Sequence, residues 1–435
     1  MSRLVLSLLL IAALFALDFY VYRNWRRFAR TRRRLRWTLP VYTAFLALMP
    51  LTLPFYFMVS NWWEVQPKLL RGLFVGFWIV YYLPRLIVAA VLVVKDLARF
   101  VYWLFAWFQA RLRPPPGPSE PETAPLDLSD MKRITRAEFL RQMGWTAASV
   151  PFVVVGYGVF RSLYDFAVHR VEVPIAGLPR ALDGLTIAQL SDLHAGSFFS
   201  DRPMFDAVDA VNALRPDLVV VTGDYVNHDA AELDLIRGAL DGLRAGLGVY
   251  GCLGNHDHYA DVGDVVRRID ATPVELLVNA HRTLRIDGAR LHVIGTDNTG
   301  FRQHYADLPA ALDGLDAEPN GEELRLLLAH DPTFWDAHVR PAHAAIDLML
   351  CGHTHGGQVG VELGPLRWSL ARVAYERWAG LYAEPRPAGP LAARGPQYLY
   401  VNRGLGTVGP PIRLGIRPEI TLLTLRRDGE RSGGR

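Results

Sequence analysis

Four stretches in the first third of the chain are almost free of polar residues. Residues 4–22 (LVLSLLLIAALFALDFYVY) are interrupted only by Ser7 and Asp18, and residues 38–60 run 23 positions without a charge. Residues 72–94 carry one charge, Arg85, beside Pro84, and residues 142–160 (QMGWTAASVPFVVVGYGVF) carry none. A bilayer core of about 30 Å takes about 20 apolar residues as helix, so each stretch qualifies as a membrane span. A signal peptide would account for the first alone, but not for four in succession. Residues 97–108 (LARFVYWLFAWF) are too short to span and read as an interfacial helix.

From about residue 170 the pattern changes. Short β-branched runs alternate with helix-length stretches: LTIAQLS (185–191), LVVVTG (218–223), VYGCLG (249–254), LHVIG (291–295), LRLLLA (324–329), IDLMLCG (346–352) and QYLYV (397–401). These predict buried strands, with helices such as 203–214 and 231–244 between them. One α/β domain follows from that alternation. Residues 113–129 (RPPPGPSEPETAPLDLS) are Pro-rich and polar, as a linker would be.

Charge adds orientation. The whole chain has 47 basic and 43 acidic residues, a balance too even for a nucleic-acid binder. Between the first two spans, however, RNWRRFARTRRRLR (23–36) holds eight arginines and no acid. A loop so biased stays cytoplasmic and contacts anionic lipid. The basic stretch 109–141 returns to the same side, and the fourth span then delivers the α/β domain to the extracytoplasmic side of the cell membrane. An extra span within 85–108 would reverse this. Hydrophobic residues make up 51% of the chain, which excludes a disordered protein, and two cysteines are too few for a disulfide framework. Cys252 and Cys351 lie in apolar strand runs and read as buried inert thiols.

Nearly every strand ends in a polar cluster. In order these are Asp192-Leu193-His194, Gly223-Asp224, Gly254-Asn255-His256-Asp257, His330-Asp331-Pro332 and Gly352-His353-Thr354-His355-Gly356-Gly357. Sites in α/β sheets form outside the carboxyl ends of strands, so the clusters converge if the strands are parallel. Carboxylate, amide and imidazole donors together suit divalent first-row metals such as Mn, Fe or Zn, and a single Asp can bridge two ions.

The five blocks, in this order, resemble the calcineurin-like metallophosphoesterase superfamily, whose pattern is DxH, GD, GNH(D/E), a lone His and GHxH. The resemblance covers roughly 185–425, and the GHTHGGQ block with the tail VNRGLGTVGPPIRLGIRPEITLLTL is similar to the membrane-attached bacterial phosphoesterases. It implies an α/β metallophosphoesterase domain of two packed mixed β-sheets flanked by helices; with the four apolar stretches, which the catalytic family does not explain, the expected fold is an N-terminal α-helical transmembrane region plus that domain. In that arrangement residues 1–108 hold three spans and the interfacial helix, 109–141 a basic linker, and 142–165 the fourth span. The phosphoesterase domain is 170–425, and 426–435 a disordered tail.

The resemblance also assigns roles. Asp192, His194 and His355 would hold one divalent metal, Asn255, His330 and His353 a second, and Asp224 would bridge them. His256 takes the position of the family's catalytic histidine, with Asp257 orienting it. Arg403 and His258 are weaker candidates for contacting substrate. Two cations about 3.5–4 Å apart would activate a bridging hydroxide to attack phosphorus, with His256 protonating the leaving oxygen.

The expected function is a membrane-bound two-metal phosphoesterase acting on a phosphodiester or pyrophosphate, with a phospholipid membrane as partner and no nucleic acid. A tether of only Arg161 to about Gly184 precedes the first strand, at most about 80 Å extended, which favours a lipid-linked substrate. The segment 359–381 (VGVELGPLRWSLARVAYERWAGL), with Trp368, Tyr375, Trp378, Arg367, Arg372 and Arg377, suits either an interfacial surface or a packed helix. One alternative is UDP-2,3-diacylglucosamine pyrophosphate hydrolysis in lipid A synthesis, which requires a cytoplasmic site. A second, from outside enzymology, is a membrane sensor whose phosphoesterase-like domain binds ligand without turnover.

Overall fold

Alternate residues of the central strands face different cores, which explains the layered build of the C-terminal unit. Leu218 and Val220 pack in one apolar cluster while Val219 and Val221 pack in another; Leu326 and Leu328 are likewise split from Leu327 and Ala329. Such period-2 burial on both faces requires a sheet covered on both sides. The computed structural model of the chain describes residues 3–58, 68–112, 136–299, 305–316, 321–364, 366–409 and 411–428. It divides into two compact units at Gly156/Tyr157, with Lys68–Gly76 grouped with the second.

The N-terminal region is helical. Helices Arg3–Arg30 and Thr38–Met58 are joined by the turn Arg33–Leu35, and helices Lys68–Leu112 and Arg136–Phe160 follow. Leu8–Arg30 and Phe77–Gln109 are each long and apolar enough to cross a bilayer. Residues 68–112 form one helix of 45 residues, about 68 Å at 1.5 Å per residue. Residues 97–108 are therefore the continuation of the third helix and not a separate interfacial one. The proposed linker 109–141 is helical at both ends, and its centre, 113–135, lies outside the described residues.

The second unit contains strands β1 (Ala167–Ala176), β2 (Thr186–Leu190), β3 (Leu218–Thr222), β4 (Val249–Cys252) and β5 (Val274–Leu276). Next come β6 (Ala280–Ile286), β7 (Ala289–Gly295), β8 (Glu323–Leu328) and β9 (Leu348–Cys351). A hairpin, β10 (Gly360–Leu363) and β11 (Leu366–Ser369), is followed by β12 (Gly380–Glu384), β13 (Gln397–Val401) and β14 (Glu419–Asp428). One sheet has the order β1-β14-β2-β3-β4-β5 and the other β12-β13-β9-β8-β7-β6. In the first, β2 to β5 are parallel and β14 runs antiparallel to β2. In the second, β7, β8, β9 and β13 are parallel, and β6 and β12 close the edges antiparallel. These are the two mixed sheets expected.

The sheets pack face to face through Ile187, Val220 and Tyr250 on one side and Leu326, Leu350 and Tyr400 on the other. Helices Arg202–Ala213, Leu233–Leu240 and Val262–Ile269 cover the outer face of the first sheet. Boundaries differ from expectation at both ends. Strand β1 begins before 170, and β14 runs to Asp428, so 426–428 belong to the sheet and not to a tail; 429–435 lie outside the described residues. Cys252 and Cys351 are buried and unpaired within β4 and β9, and burial pushes both thiols well above their ordinary range. They are inert, as read from the sequence.

Candidate metal centre

Six parallel strands deliver their following residues to one edge. β2 leads into Ser191-Asp192-Leu193-His194, β3 into Gly223-Asp224, and β4 into Leu253-Gly254-Asn255. From the second sheet β8 leads to Ala329-His330, β9 to Gly352-His353, and β13 to Asn402-Arg403. The backbone turns sharply there. Asp192, His194, Asp224, His353 and His355 all have positive φ, between 43° and 70°. Non-glycine residues pay of order 1–3 kcal/mol for such conformations, which persist where the surroundings over-determine them and cluster at functional sites. Gly352 makes room: a Cβ on it would collide with the side chains of Ser191 and Asp192.

The side chains converge. Donor atoms of Asp192, His194 and His355 lie within 4.8 Å of one another, as do those of His194, Asp224 and His256, and those of Asp224, His330 and His353. Individual separations are 3.1 Å for His194 Nε2 to His355 Nε2, 3.2 Å for His355 Nε2 to Asp192 Oδ1, and 3.4 Å for His194 Nε2 to Asp224 Oδ2. On the other half, His330 Nε2 lies 3.0 Å from Asp224 Oδ2 and 3.2 Å from His353 Nδ1. Metal–ligand bonds of about 2.1 Å give ligand–ligand edges of about 3.0 Å in an octahedron and about 3.4 Å in a tetrahedron. Imidazole nitrogens facing each other at such distances fit ligation better than hydrogen bonding. Asn255 adds an independent sign: its side-chain oxygen is buried with no hydrogen-bond partner. Asp224 belongs to both halves, as a bridging ligand must. The donor set fits two divalent cations.

The buried charges of the cluster compensate one another. Burial opposes ionisation of Asp224, but the imidazoles of His330 and His194 outweigh it and hold its carboxyl well below the usual carboxylate range. Burial likewise disfavours a charged His330, yet Asp224 and Asp192 push that imidazole up to about 10. Burial and neighbouring imidazoles hold His353 and His355 low, so both present neutral lone pairs.

His256 lies beside this cluster and its ring meets His194 edge-on at 4.8 Å. Its Nδ1 is 2.7 Å from the carbonyl of Asn227, which only accepts, so Nδ1 carries a proton. Burial holds this imidazole below its ordinary value. Asp257 does not orient it. The carboxylate of Asp257 instead accepts the backbone N–H groups of Asp224, Tyr225, Val226 and Gly254. Asp257 is the third residue of the short helix Asn255–Tyr259, so its side chain turns back to the helix start and ties two ligand loops together.

The two weaker candidates are engaged elsewhere. The buried guanidinium of Arg403 pairs with Glu419 and Glu362, as a part of the scaffold would. His258 Nε2 pairs with Asp297 at 2.6 Å and its ring stacks on Tyr305. Segment 359–381 is neither a helix nor uniformly interfacial. It forms the β10–β11 hairpin and a 3-10 turn, Leu370–Val373; Trp378 is buried, Arg377 pairs with Asp336 and Glu384, and Tyr375 reaches the site. Trp368 alone of the three aromatics is exposed.

Several participants carry no sequence signal. The Tyr375 hydroxyl lies 3.0 Å from His353 Nε2, which leaves His353 Nδ1 toward the cluster. His228 and Tyr259 flank the His256 ring at 5.5 Å and 4.8 Å. Arg413, fully buried and without a carboxylate partner among the described residues, donates to the carbonyls of Arg403, Gly404 and Gly406. It braces a loop whose glycines lie against Asp192 and His194.

Residues 185–357 match the family described as calcineurin-like phosphoesterase. Residues 2–163 match the family described as probable calcineurin-like phosphoesterase, transmembrane domain. The uncharacterized metallophosphoesterase YkuE of Bacillus subtilis is 30% identical over 311 residues, covering 68% of this chain and 99% of that protein. The transmembrane protein with metallophosphoesterase domain of Bos taurus is 32% identical over 64% of this chain, and the match spans only 62% of that protein. The phosphodiesterase YaeI of Escherichia coli is 30% identical over 54% of this chain and 80% of that protein.

Proposed function

Since this chain belongs to the calcineurin-like phosphoesterase family and is a membrane protein with a metal-dependent phosphoester hydrolase domain, we propose that it hydrolyses a lipid-linked phosphodiester or pyrophosphate. The carrying observation is the exposed apolar run in the segment after His353 and His355. Leu366 is 60% exposed, Trp368 46%, Leu370 49% and Val373 85%, with exposed Arg372 among them. An aromatic and aliphatic edge with arginine interspersed suits a phospholipid surface.

In this reading Asp192, His194 and His355 hold one cation, and Asn255, His330 and His353 the other, with Asp224 shared. When bound, two such cations neutralise phosphate oxygens and lower the pKa of a water between them. The protein does the rest. The clamp of Asp257 and the brace of Arg413 keep both ligand loops in place. His256, its Nδ1–H fixed on Asn227, leaves Nε2 free, and only its imidazolium form, with a second proton on Nε2, would protonate the leaving oxygen. The Arg-rich stretch 23–36 and the four long helices among the described residues support an extracytoplasmic catalytic unit in the bacterial cell membrane.

The test compares a lipid phosphodiester in mixed micelles with its water-soluble head-group analogue, using Mn²⁺-loaded full-length protein. The lipid is expected to have the higher kcat/KM, and Trp368→Ala to narrow the gap. Equal values for the two, unchanged by Trp368→Ala, would remove the lipid assignment and leave a general phosphoesterase.

A further inference from the structure

A cavity of about 530 Å³ opens beside the metal cluster, with Asp331, Phe334, Ala337, His338, Ala374 and Tyr375 among its walls. It shares two of them with the site. Asp331 directly follows His330, and the Tyr375 hydroxyl lies 3.0 Å from His353 Nε2. The cavity therefore adjoins the half of the centre formed by His330 and His353. Its volume is that of a small-molecule site.

The chemistry of the walls restricts the occupant. Among the described residues, neither lysine nor arginine lines the cavity. A second phosphate or other anion is recognised by guanidinium, ammonium or clustered N–H donors, and here the fixed charge offered is the carboxylate of Asp331. That carboxylate is itself committed, since Oδ1 accepts from the backbone N–H and the hydroxyl of Thr333 at 2.8 and 2.7 Å. The His338 ring stacks on Phe334 at 4.7 Å. What remains facing the space is mostly hydrocarbon: Phe334, Ala337, Ala374 and the Tyr375 ring. Ala374 and Tyr375 also continue directly from Leu370 and Val373, so the exposed apolar edge runs on into the cavity wall.

We infer that this cavity is the subsite for the apolar substituent on the scissile phosphorus, and that Phe334, Ala337, Ala374 and Tyr375 set the preferred chain. The occupant is an alkyl or acyl-bearing group. The inference rests on the phosphoesterase reading above and narrows its substrate class.

The experiment uses full-length, detergent-solubilised, Mn²⁺-loaded protein hydrolysing bis(p-nitrophenyl) phosphate, inhibited by n-alkylphosphonates from methyl to octyl. Burial of each methylene is expected to lower Ki about three- to fourfold over the first several carbons, then level off as the cavity fills. Ala337 and Ala374 are both exposed, so a larger residue at either enters the cavity without disturbing the core. Ala337→Trp and Ala374→Trp should each flatten the dependence on chain length while metal content, read by elemental analysis, stays at the wild-type level. A flat series in the wild type, or an unchanged slope in both variants, overturns the subsite. Failure to hydrolyse the reporter diester at all would overturn the phosphoesterase reading itself, and the two failures are thus separable.

Discussion

Asp18 and Arg85 meet 3.2 Å apart, both buried, on the first and third helices of the N-terminal unit. The hydroxyls of Tyr81 and Tyr82 donate to the other oxygen of Asp18, each at 3.3 Å, and Arg85 stacks on the Tyr81 ring. Each ion thus has its compensation within the bundle. Removing one partner strands the other, at a cost of about 3–5 kcal/mol, whereas replacing both with apolar residues is often tolerated. Asp18→Leu and Arg85→Leu alone should therefore lower the Tm in detergent more than the double variant does. Additive losses in the double variant would mean that the pair is not coupled.

The shared position of Asp224 predicts a division of labour at the metal centre. Asp224→Ala should lose both metals and all activity. His256→Ala should keep its metals and lose about 10²–10⁴-fold in kcat, the usual contribution of a general acid. Elemental analysis of the two variants is the check. It is a sharp one, because a nitrogen of His256 lies within 4.8 Å of donors on His194 and Asp224. A metal-free His256 variant would make that residue a ligand.

Asp257 separates a scaffold role from a chemical one. Its carboxylate satisfies four backbone donors around the two ligand loops. Leaving several buried N–H groups unpaired costs about 1–3 kcal/mol each. Asp257→Ala should lower both Tm and metal affinity, with Asp257→Asn intermediate, while the pH at which residual activity falls stays where it is. A shift of that pH would restore Asp257 as the group that orients His256.

The buried carboxylate of Glu419 predicts how the second unit responds to acid. Burial opposes its ionisation, but Arg403, His169 and the hydroxyls of Thr421 and Tyr400 outweigh this and hold its pKa below the ordinary 4.5. The folded value is the lower one. Its contribution to stability is therefore complete above pH 4.5 and is lost as pH falls through the folded value. Glu419→Gln should lower stability at neutral pH and flatten its decline in acid, measured by urea denaturation from pH 7 to pH 3. Equal pH slopes for the two proteins would exclude Glu419 as the acid-labile group.

The donor residues were legible because ligand chemistry admits few residue types, and the parallel strands carry them as suffixes to apolar runs. Strands buried on both faces, such as Leu218–Thr222 and Glu323–Leu328, announce themselves in the same way. Strand β1, AVHRVEVPIA, alternates polar with apolar at an edge, but it pairs with residues 252 positions away, a partner no local pattern identifies. Asp257 misled for a related reason. A carboxylate next to a catalytic-type histidine looks like its orienting group, and nothing in the sequence places the amides of Asp224 to Val226 within its reach. The hydroxyl of Tyr375 and the carbonyl of Asn227 likewise matter only through folding of distant segments. The long third helix escaped because Lys95 and Asp96 interrupt its apolar run without ending the helix.

Strand β14 follows every candidate ligand in the sequence, yet it lies between β1 and β2. The loop leading to it contains Arg413, and the strand itself supplies Glu419 beneath Arg403. Until residue 428 is available, β1 has no neighbour and β2 presents an unpaired edge. The loop carrying Asp192 and His194 packs against Gly404 and Gly406, which β14 holds through the pair of Glu419 with Arg403. A nascent chain thus holds all seven candidate ligands long before it can arrange them. Metal loading therefore waits on the synthesis of strand β14, which pins the loop that packs against two of the ligands.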